Sequence, residues 1–176
     1  MHRPGVSFRL RERFDDGSQP TPQSVPQSHR HDWYLATDAS CCSGTATIGG
    51  LAEDASGRLL DRWKTTVPVD DNNTLELLAL HYGLDRIAAH VPSSSHIGVL
   101  LDHDVLATAL ARYIGANEHT ARPYGSASPH HWAGVKSRIR AFADARVSLV
   151  ASEQNPAHDV VNPSHLIEPS PELALD

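Results

Sequence analysis

The order of strand-like and helix-like segments constrains this chain more than any single motif does. Five segments have the composition of β-strands: residues 33–38, 45–53, 58–69, 96–101 and 147–151. The first three follow one another directly, and a turn that ends in Gly57 makes a hairpin of the second and third. The last two are each reached through helical segments. This order predicts an α/β fold, in which three antiparallel strands and then parallel strands form a five-stranded mixed sheet flanked by helices.

Helices are predicted from apolar residues at helical spacing and from capping residues. A long helix is expected at 74–90 and a second at 105–114, which Gly115 ends. Residues 118–127 have the character of a loop. Ser128 and Pro129 then begin a third helix, and a short one is expected at 156–161.

Both ends of the chain differ in composition from the middle. Residues 17–28 are mostly Pro, Ser, Gln and Thr, which bury too little apolar surface to offset the entropy lost on ordering. We therefore expect residues 1–30 to form a disordered arm, whose arginines could contact nucleic acid or another protein. Residues 163–176 are expected to form an extended acidic tail. The folded domain is then 31–162.

Charge and cysteine content exclude several classes of protein. The net charge of −6 argues against a non-specific nucleic-acid binder, which would be basic. Cys41 and Cys42 are adjacent, a spacing that fits neither a disulfide framework nor a zinc site. No apolar stretch is long enough to cross a membrane and no signal-peptide pattern is present. We expect a cytoplasmic monomer without a membrane anchor.

Four acidic residues lie at the starts or ends of different predicted elements. Asp38 follows the first strand, Glu76 lies in the first turn of the long helix, Asp102 follows the fourth strand, and Asp159 lies in the last short helix. If these elements pack side by side, the four carboxylates converge at one edge of the sheet. Carboxylate oxygens are the ligands of hard cations such as Mg²⁺. Helix capping is the competing explanation for all but Asp38, which ends a strand.

The residues around these acids resemble the ribonuclease H-like superfamily, and type 1 ribonuclease H within it. The segment Thr37-Asp38-Ala39-Ser40 and the hairpin that follows resemble the family's opening, and Asn72-Asn73-Thr74-Leu75-Glu76-Leu77 resembles its Asn-Asn-x-x-Glu-Leu helix start. Leu100-Leu101-Asp102 resembles its third acidic position, and Asn155-Pro156-Ala157-His158-Asp159 its final Asn-x-x-x-Asp. The resemblance covers nearly all of the expected folded domain.

The resemblance implies an endoribonuclease that hydrolyses the RNA strand of RNA–DNA hybrids with two Mg²⁺ ions, for which Mn²⁺ can substitute. It implies that all four acids are catalytic metal ligands. Asp38 would bridge the two ions, Glu76 and Asp102 would hold the ion nearer the leaving group, and Asp159 the ion at the attacking water. It also implies four substrate contacts: Ser40, Cys41, Asn72 and Asn73.

The chain departs from the family pattern in ways that keep other functions open. It lacks the Gly-His loop before the last acid, so His158 or Glu153 are the candidates for proton transfer. Asp71 and Asp104 add negative charge where the family often has neutral residues. These departures leave two alternatives: a non-catalytic nucleic-acid-binding module on the same fold, or a DNA-directed nuclease or strand-transfer enzyme. His130 and His131 have no cysteine or spaced histidine near them in sequence, so an exposed polar role is expected for both.

Overall fold

The computed structural model describes residues 10–18, 20, 31–116, 122–124 and 127–162. The rest of the expected arm, most of the expected loop at 118–127 and the tail at 163–176 lie outside the described residues. The described elements, in chain order, are α1 (Leu10–Asp16), β1 (Trp33–Cys42), β2 (Thr45–Asp54), β3 (Leu59–Val67), α2 (Asn72–Ala88), β4 (His96–Leu101), α3 (Asp104–Ala116), α4 (Pro129–Arg140), β5 (Asp144–Leu149), a 3-10 turn (Ser152–Gln154) and α5 (His158–Val161).

The five strands form one mixed sheet in the order β3-β2-β1-β4-β5. β1, β2 and β3 pair antiparallel, whereas β4 pairs parallel with both β1 and β5. The predicted fold class is confirmed. The order follows from chain connectivity, because hairpins join the antiparallel strands and helices return the chain for the parallel ones.

Helices cover both faces of this sheet. The larger core lies between the sheet and α2, α3 and α4, and contains Leu35 from β1 and Leu80 from α2. Tyr34 and Ala36, the neighbours of Leu35 in sequence, pack on the opposite face with residues of α1 and α5. This alternation is the period of two expected for a strand buried on both faces.

The prediction of a disordered arm over residues 1–30 is wrong for Leu10–Asp16, which form α1. Leu10 and Phe14 lie one helical turn apart and are both buried against the sheet. The Ser148 hydroxyl donates a hydrogen bond to the Phe14 carbonyl (2.9 Å), and a β-bridge joins Ser18 to Leu149. Two apolar residues in seven are a weak signal in sequence, and they stabilise a helix only where a sheet face is there to receive them.

Three predicted boundaries are also wrong. β1 continues to Cys42 because its pairing with β2 extends to Cys42 and Thr45, across a tight turn in which Ser43 and Gly44 both have positive φ. α3 runs through Gly115 to Ala116, so Gly115 lies inside the helix and does not end it. β5 is Asp144–Leu149 rather than 147–151, because its register with β4 begins three residues earlier. No helix in the described part of the chain is both long and apolar enough to cross a bilayer.

Candidate metal centre

Three of the four predicted acids come together at one edge of the sheet. Asp38, Glu76 and Asp102 each offer a carboxylate oxygen, and these oxygens lie within 4.8 Å of one another. The topology explains the meeting of the first and third: β1 pairs with β4 only as far as Ala36 and Leu100, so Asp38 and Asp102 follow side by side where β4 ends. Such an edge, at the carboxyl ends of parallel strands, is where open α/β sheets bind ligands.

Glu76 joins this acidic cluster from the first turn of α2. The capping role that sequence allowed for Glu76 belongs to Asp71, whose carboxylate accepts hydrogen bonds from the backbone N–H (3.1 Å) and hydroxyl (2.6 Å) of Thr74. Glu76 is instead 5% exposed and Asp38 3% exposed, so both carboxylates are buried beside each other. Asp71 is therefore a helix cap, and the extra charge it brings stays at the surface.

Burial and mutual repulsion perturb both buried acids strongly. Burial raises the pKa of Glu76 from 4.5 to about 9, and the charges of Asp38 and then Asp102 add to the rise. Burial likewise raises the pKa of Asp38 from 3.8 to about 6, with Asp102 as the second cause. The Ala39 N–H (2.8 Å from Asp38 Oδ1) and His158 oppose that rise. Two buried carboxylates that resist ionisation in this way, with Asp102 beside them, form a site that a cation would stabilise.

Asp159, the fourth predicted acid, lies outside this cluster. Its side chain is exposed in the first turn of α5, and its neighbour His158 makes the contact with the cluster instead: His158 Nδ1 is 3.1 Å from Asp38 Oδ2. Asn155 fixes the approach of α5, because its buried side-chain amide donates to the Thr37 carbonyl (3.0 Å) and accepts from the Ala157 N–H (3.1 Å). The sequence predicted the short helix that contains Asp159, but it did not show which residue of that helix would face the cluster.

Comparison with known proteins yields structural neighbours and no sequence relatives. No protein-family model matches the sequence, and no curated protein matches it. The ribonuclease H1 of Halobacterium salinarum superposes with a TM-score of 0.57 at 15% identity, over 73% of this chain and 92% of that one. LC11 ribonuclease H1, isolated from compost and solved with an RNA/DNA hybrid, gives a TM-score of 0.56 at 18% identity, over 74% of this chain and 94% of that one. The protease–reverse transcriptase of prototype foamy virus gives a TM-score of 0.57 at 14% identity, over 86% of this chain and 23% of that one.

The fold is that of ribonuclease H. The superposed proteins share the five-stranded mixed sheet and its helices with this chain. At these identities the likeness extends to the fold alone, so the properties of the site rest on its own residues.

The expected substrate contacts occupy three different settings in this ribonuclease H fold. Asn73 belongs to a hydrogen-bonded network: its side-chain oxygen is 2.8 Å from His103 Nε2, and its carbonyl accepts from the Tyr124 hydroxyl. Ser40 is half-buried and donates to the side chain of Asn162 (2.6 Å). Asn72 and Cys41 are exposed, at the start of α2 and near the end of β1. Cys41 lies within β1, not in a turn after it.

Sequence reasoning missed the role of Tyr124, which lies in the segment expected to be a loop. His103 Nδ1 accepts from the Leu106 N–H (3.2 Å) at the start of α3, so Nε2 carries the proton that is donated to Asn73. The network therefore ties the residue after Asp102 to the first turn of α2. A tyrosine within a polar loop gave no signal by which this contact could have been found.

Of the two proton-transfer candidates, the structure brings one to the cluster. His158 contacts Asp38, whereas Glu153 is exposed in the 3-10 turn before α5. His158 also lies 3.5 Å from the side-chain nitrogen of Asn162.

The donor set of the acidic cluster fits a hard divalent cation. All three donors are carboxylates, and two oxygens on opposite sides of a Mg²⁺ ion are about 4 Å apart, close to the span of the cluster. Nitrogen or sulfur ligands, which would favour zinc or copper, are not part of this group of donors as described. Asp38, Glu76 and Asp102 are the residues that would hold such an ion.

Proposed function

We propose that this protein is a metal-dependent endonuclease that hydrolyses the RNA strand of RNA–DNA hybrids. One observation supports this above the others: three carboxylates, two of them buried and held above their ordinary pKa, converge at the carboxyl ends of parallel strands in a ribonuclease H fold. A cluster of this kind destabilises the protein unless a cation neutralises it, so it is expected where function requires it.

The residues of the cluster have separable roles in this proposal. Asp38, Glu76 and Asp102 bind the cations, and Asp159 joins them from the exposed side of α5 when substrate and ions are present. Divalent cations bound there would stabilise the negative charge of the phosphate and make a bound water more acidic. No protein nucleophile is required.

His158 is proposed to hold or transfer a proton at the edge of the cluster. Its ring lies against Asp38 and its side chain is 40% exposed, so it can exchange protons with solvent. Asn72, Asn73, Ser40 and Cys41 are proposed to face the hybrid, with Asn73 oriented by its contacts to His103 and Tyr124.

The direct test is cleavage of a hybrid labelled on its RNA strand, with Mg²⁺ and Mn²⁺ each titrated. Asp102→Asn should lose at least a hundredfold in rate, because the cation ligand is gone and the side-chain shape is kept. Asp70→Asn is the matched control: Asp70 is an exposed acid on the loop before α2, outside the cluster, and its removal should leave cleavage intact. Retained cleavage by Asp102→Asn would refute the proposal.

A non-catalytic nucleic-acid-binding module is the second candidate, and the position of Asp159 is the observation that favours it. With Asp159 outside the cluster and His158 in contact with Asp38, the site has three acids and a neighbouring imidazole where the resemblance implies four acids. A gel shift of the hybrid without cleavage in either metal would identify this function. Double-stranded DNA and double-stranded RNA, digested in parallel, would reveal a DNA-directed nuclease.

A further inference from the structure

A second cluster of metal-ligating side chains lies between α2 and α4. His130 and His131 are neighbours at the start of α4, and the fold adds His81 from α2. The three ring centroids are 5.2 Å (81 to 131), 5.4 Å (130 to 131) and 6.1 Å (81 to 130) apart. No other histidine lies near His130 and His131 in sequence. The packing of α2 on α4 provides one from fifty residues away.

The closest contact in this histidine cluster joins two ring nitrogens. His81 Nδ1 and His131 Nδ1 are 2.9 Å apart. Two nitrogens bound to one tetrahedral zinc ion lie about 3.4 Å apart, so a small separation of the rings would admit an ion. Both rings are partly buried, and the neutral form of imidazole is the one that binds metal.

The other nitrogen of His81 faces a carboxylate. His81 Nε2 is 3.7 Å from Asp85 Oδ2, and the Arg138 guanidinium holds the other oxygen of Asp85 at 2.5 Å. A carboxylate behind a histidine favours the proton on the nitrogen that faces it and leaves the opposite nitrogen as the ligand. In His81 that opposite nitrogen is Nδ1, the one that contacts His131.

The His81 ring occupies space that a side chain at position 134 would fill, and position 134 is a glycine. A Cβ at position 134 would lie 2.1 Å from His81 Nε2. Glycine inside a helix costs about 1 kcal/mol relative to alanine, and here its absent side chain is what lets the ring lie between α2 and α4. The position of His81 therefore depends on a residue that is otherwise unfavourable in α4.

We propose that His81 and His131, with His130 as third ligand, form a transition-metal site of the zinc class that links α2 to α4. Three imidazoles on one zinc ion have centroids about 5 Å apart, close to the observed spacing. His130 is exposed, and rotation about its side-chain bonds brings a nitrogen toward the pair. Its nitrogen ligands distinguish this site from the acidic cluster, whose oxygens prefer magnesium.

The test uses the full chain and Zn²⁺ itself, in competition with a chromophoric chelator and in thermal unfolding with and without Zn²⁺. The wild type should bind one Zn²⁺ that His81→Gln and His131→Gln each weaken at least tenfold, with loss of the Zn²⁺-dependent rise in unfolding temperature. His90→Gln, at an exposed position beyond the end of α2, is the matched control and should bind like the wild type. Asp102→Asn should also bind like the wild type, which separates this site from the acidic cluster.

Gly134→Ala removes no ligand and provides a second line of evidence. It should weaken Zn²⁺ binding because its methyl group displaces the His81 ring, while the helix itself gains in propensity. Equal Zn²⁺ affinity in the wild type, His81→Gln and His131→Gln would overturn the proposal, whatever the outcome of the nuclease assay.

Discussion

Replacing Glu76 with glutamine should stabilise the metal-free protein at neutral pH. In the folded protein the pKa of Glu76 is about 9, against 4.5 when unperturbed. Between these two pH values the folded state binds a proton that the unfolded state lacks, so the unfolding free energy falls as pH rises. Glutamine has no proton to take up, and its amide can donate to Asp38 as the protonated Glu76 does.

The size of the effect follows from the part of that window that lies below pH 7. Each pKa unit corresponds to about 1.4 kcal/mol, so the interval from 4.5 to 7 gives an excess stability for Glu76→Gln of about 3 kcal/mol at pH 7. For a chain of this size that is a rise of roughly 6 to 12 °C in unfolding temperature. The excess should shrink toward zero near pH 4.5 and should be larger at pH 8 than at pH 7.

The assay is urea unfolding of both proteins in a chelator at pH 5, 6, 7 and 8. Asp70→Asn is the control, because Asp70 is an exposed acid on the loop before α2 and its removal should leave the pH profile of the wild type unchanged. Adding Mg²⁺ should narrow the gap between wild type and Glu76→Gln, since a cation relieves the same repulsion. A stability difference that stays flat from pH 5 to 8, or is negative at pH 8, would refute the reasoning.

Two other buried polar residues lead to predictions of the same kind. Burial lowers the pKa of His31 to about 4, so the unfolding free energy of the wild type should fall as pH falls from 6.5 toward 4. The expected loss is about 1 to 2 kcal/mol between pH 7 and 5. His31→Phe, which keeps an aromatic ring beside Phe14, should lose less unfolding free energy over that range, as measured by urea unfolding. Asn155→Ala should lower the unfolding free energy by about 2 to 3 kcal/mol, because it leaves the Thr37 carbonyl and the Ala157 N–H without their partner; a urea midpoint equal to that of the wild type would contradict this.

Sequence patterns predicted the sheet because those patterns are local. The apolar run at His96–Leu101 and the Ser128 cap before α4 depend on residues within one or two turns of themselves, and both appear as predicted. The end of β1 was predicted wrongly because it depends on pairing with another strand, which a local pattern does not show. Asp38 interrupts the apolar pattern in sequence, but the ladder with β2 holds the strand together as far as Cys42.

The candidate sites also differ in how much of their geometry follows from local sequence patterns and how much follows from tertiary packing. Asp38 and Asp102 could be placed together from sequence, because each comes two residues after the last paired residue of two neighbouring parallel strands. The contact of His158, rather than Asp159, with Asp38 depends on how a four-residue helix is oriented, and no local pattern specifies that orientation. The meeting of His81 with His131 depends in the same way on how α2 packs against α4.

The amino-acid sequence by itself determined which strands run antiparallel and which run parallel, and hence the edge at which acidic residues would gather, because strand composition and chain connections follow from short-range patterns. Only the tertiary structure decided which of those acids are taken out of water. That choice sets the raised pKa values of Asp38 and Glu76, since loss of hydration and the approach of like charges arise only when helices close over the sheet.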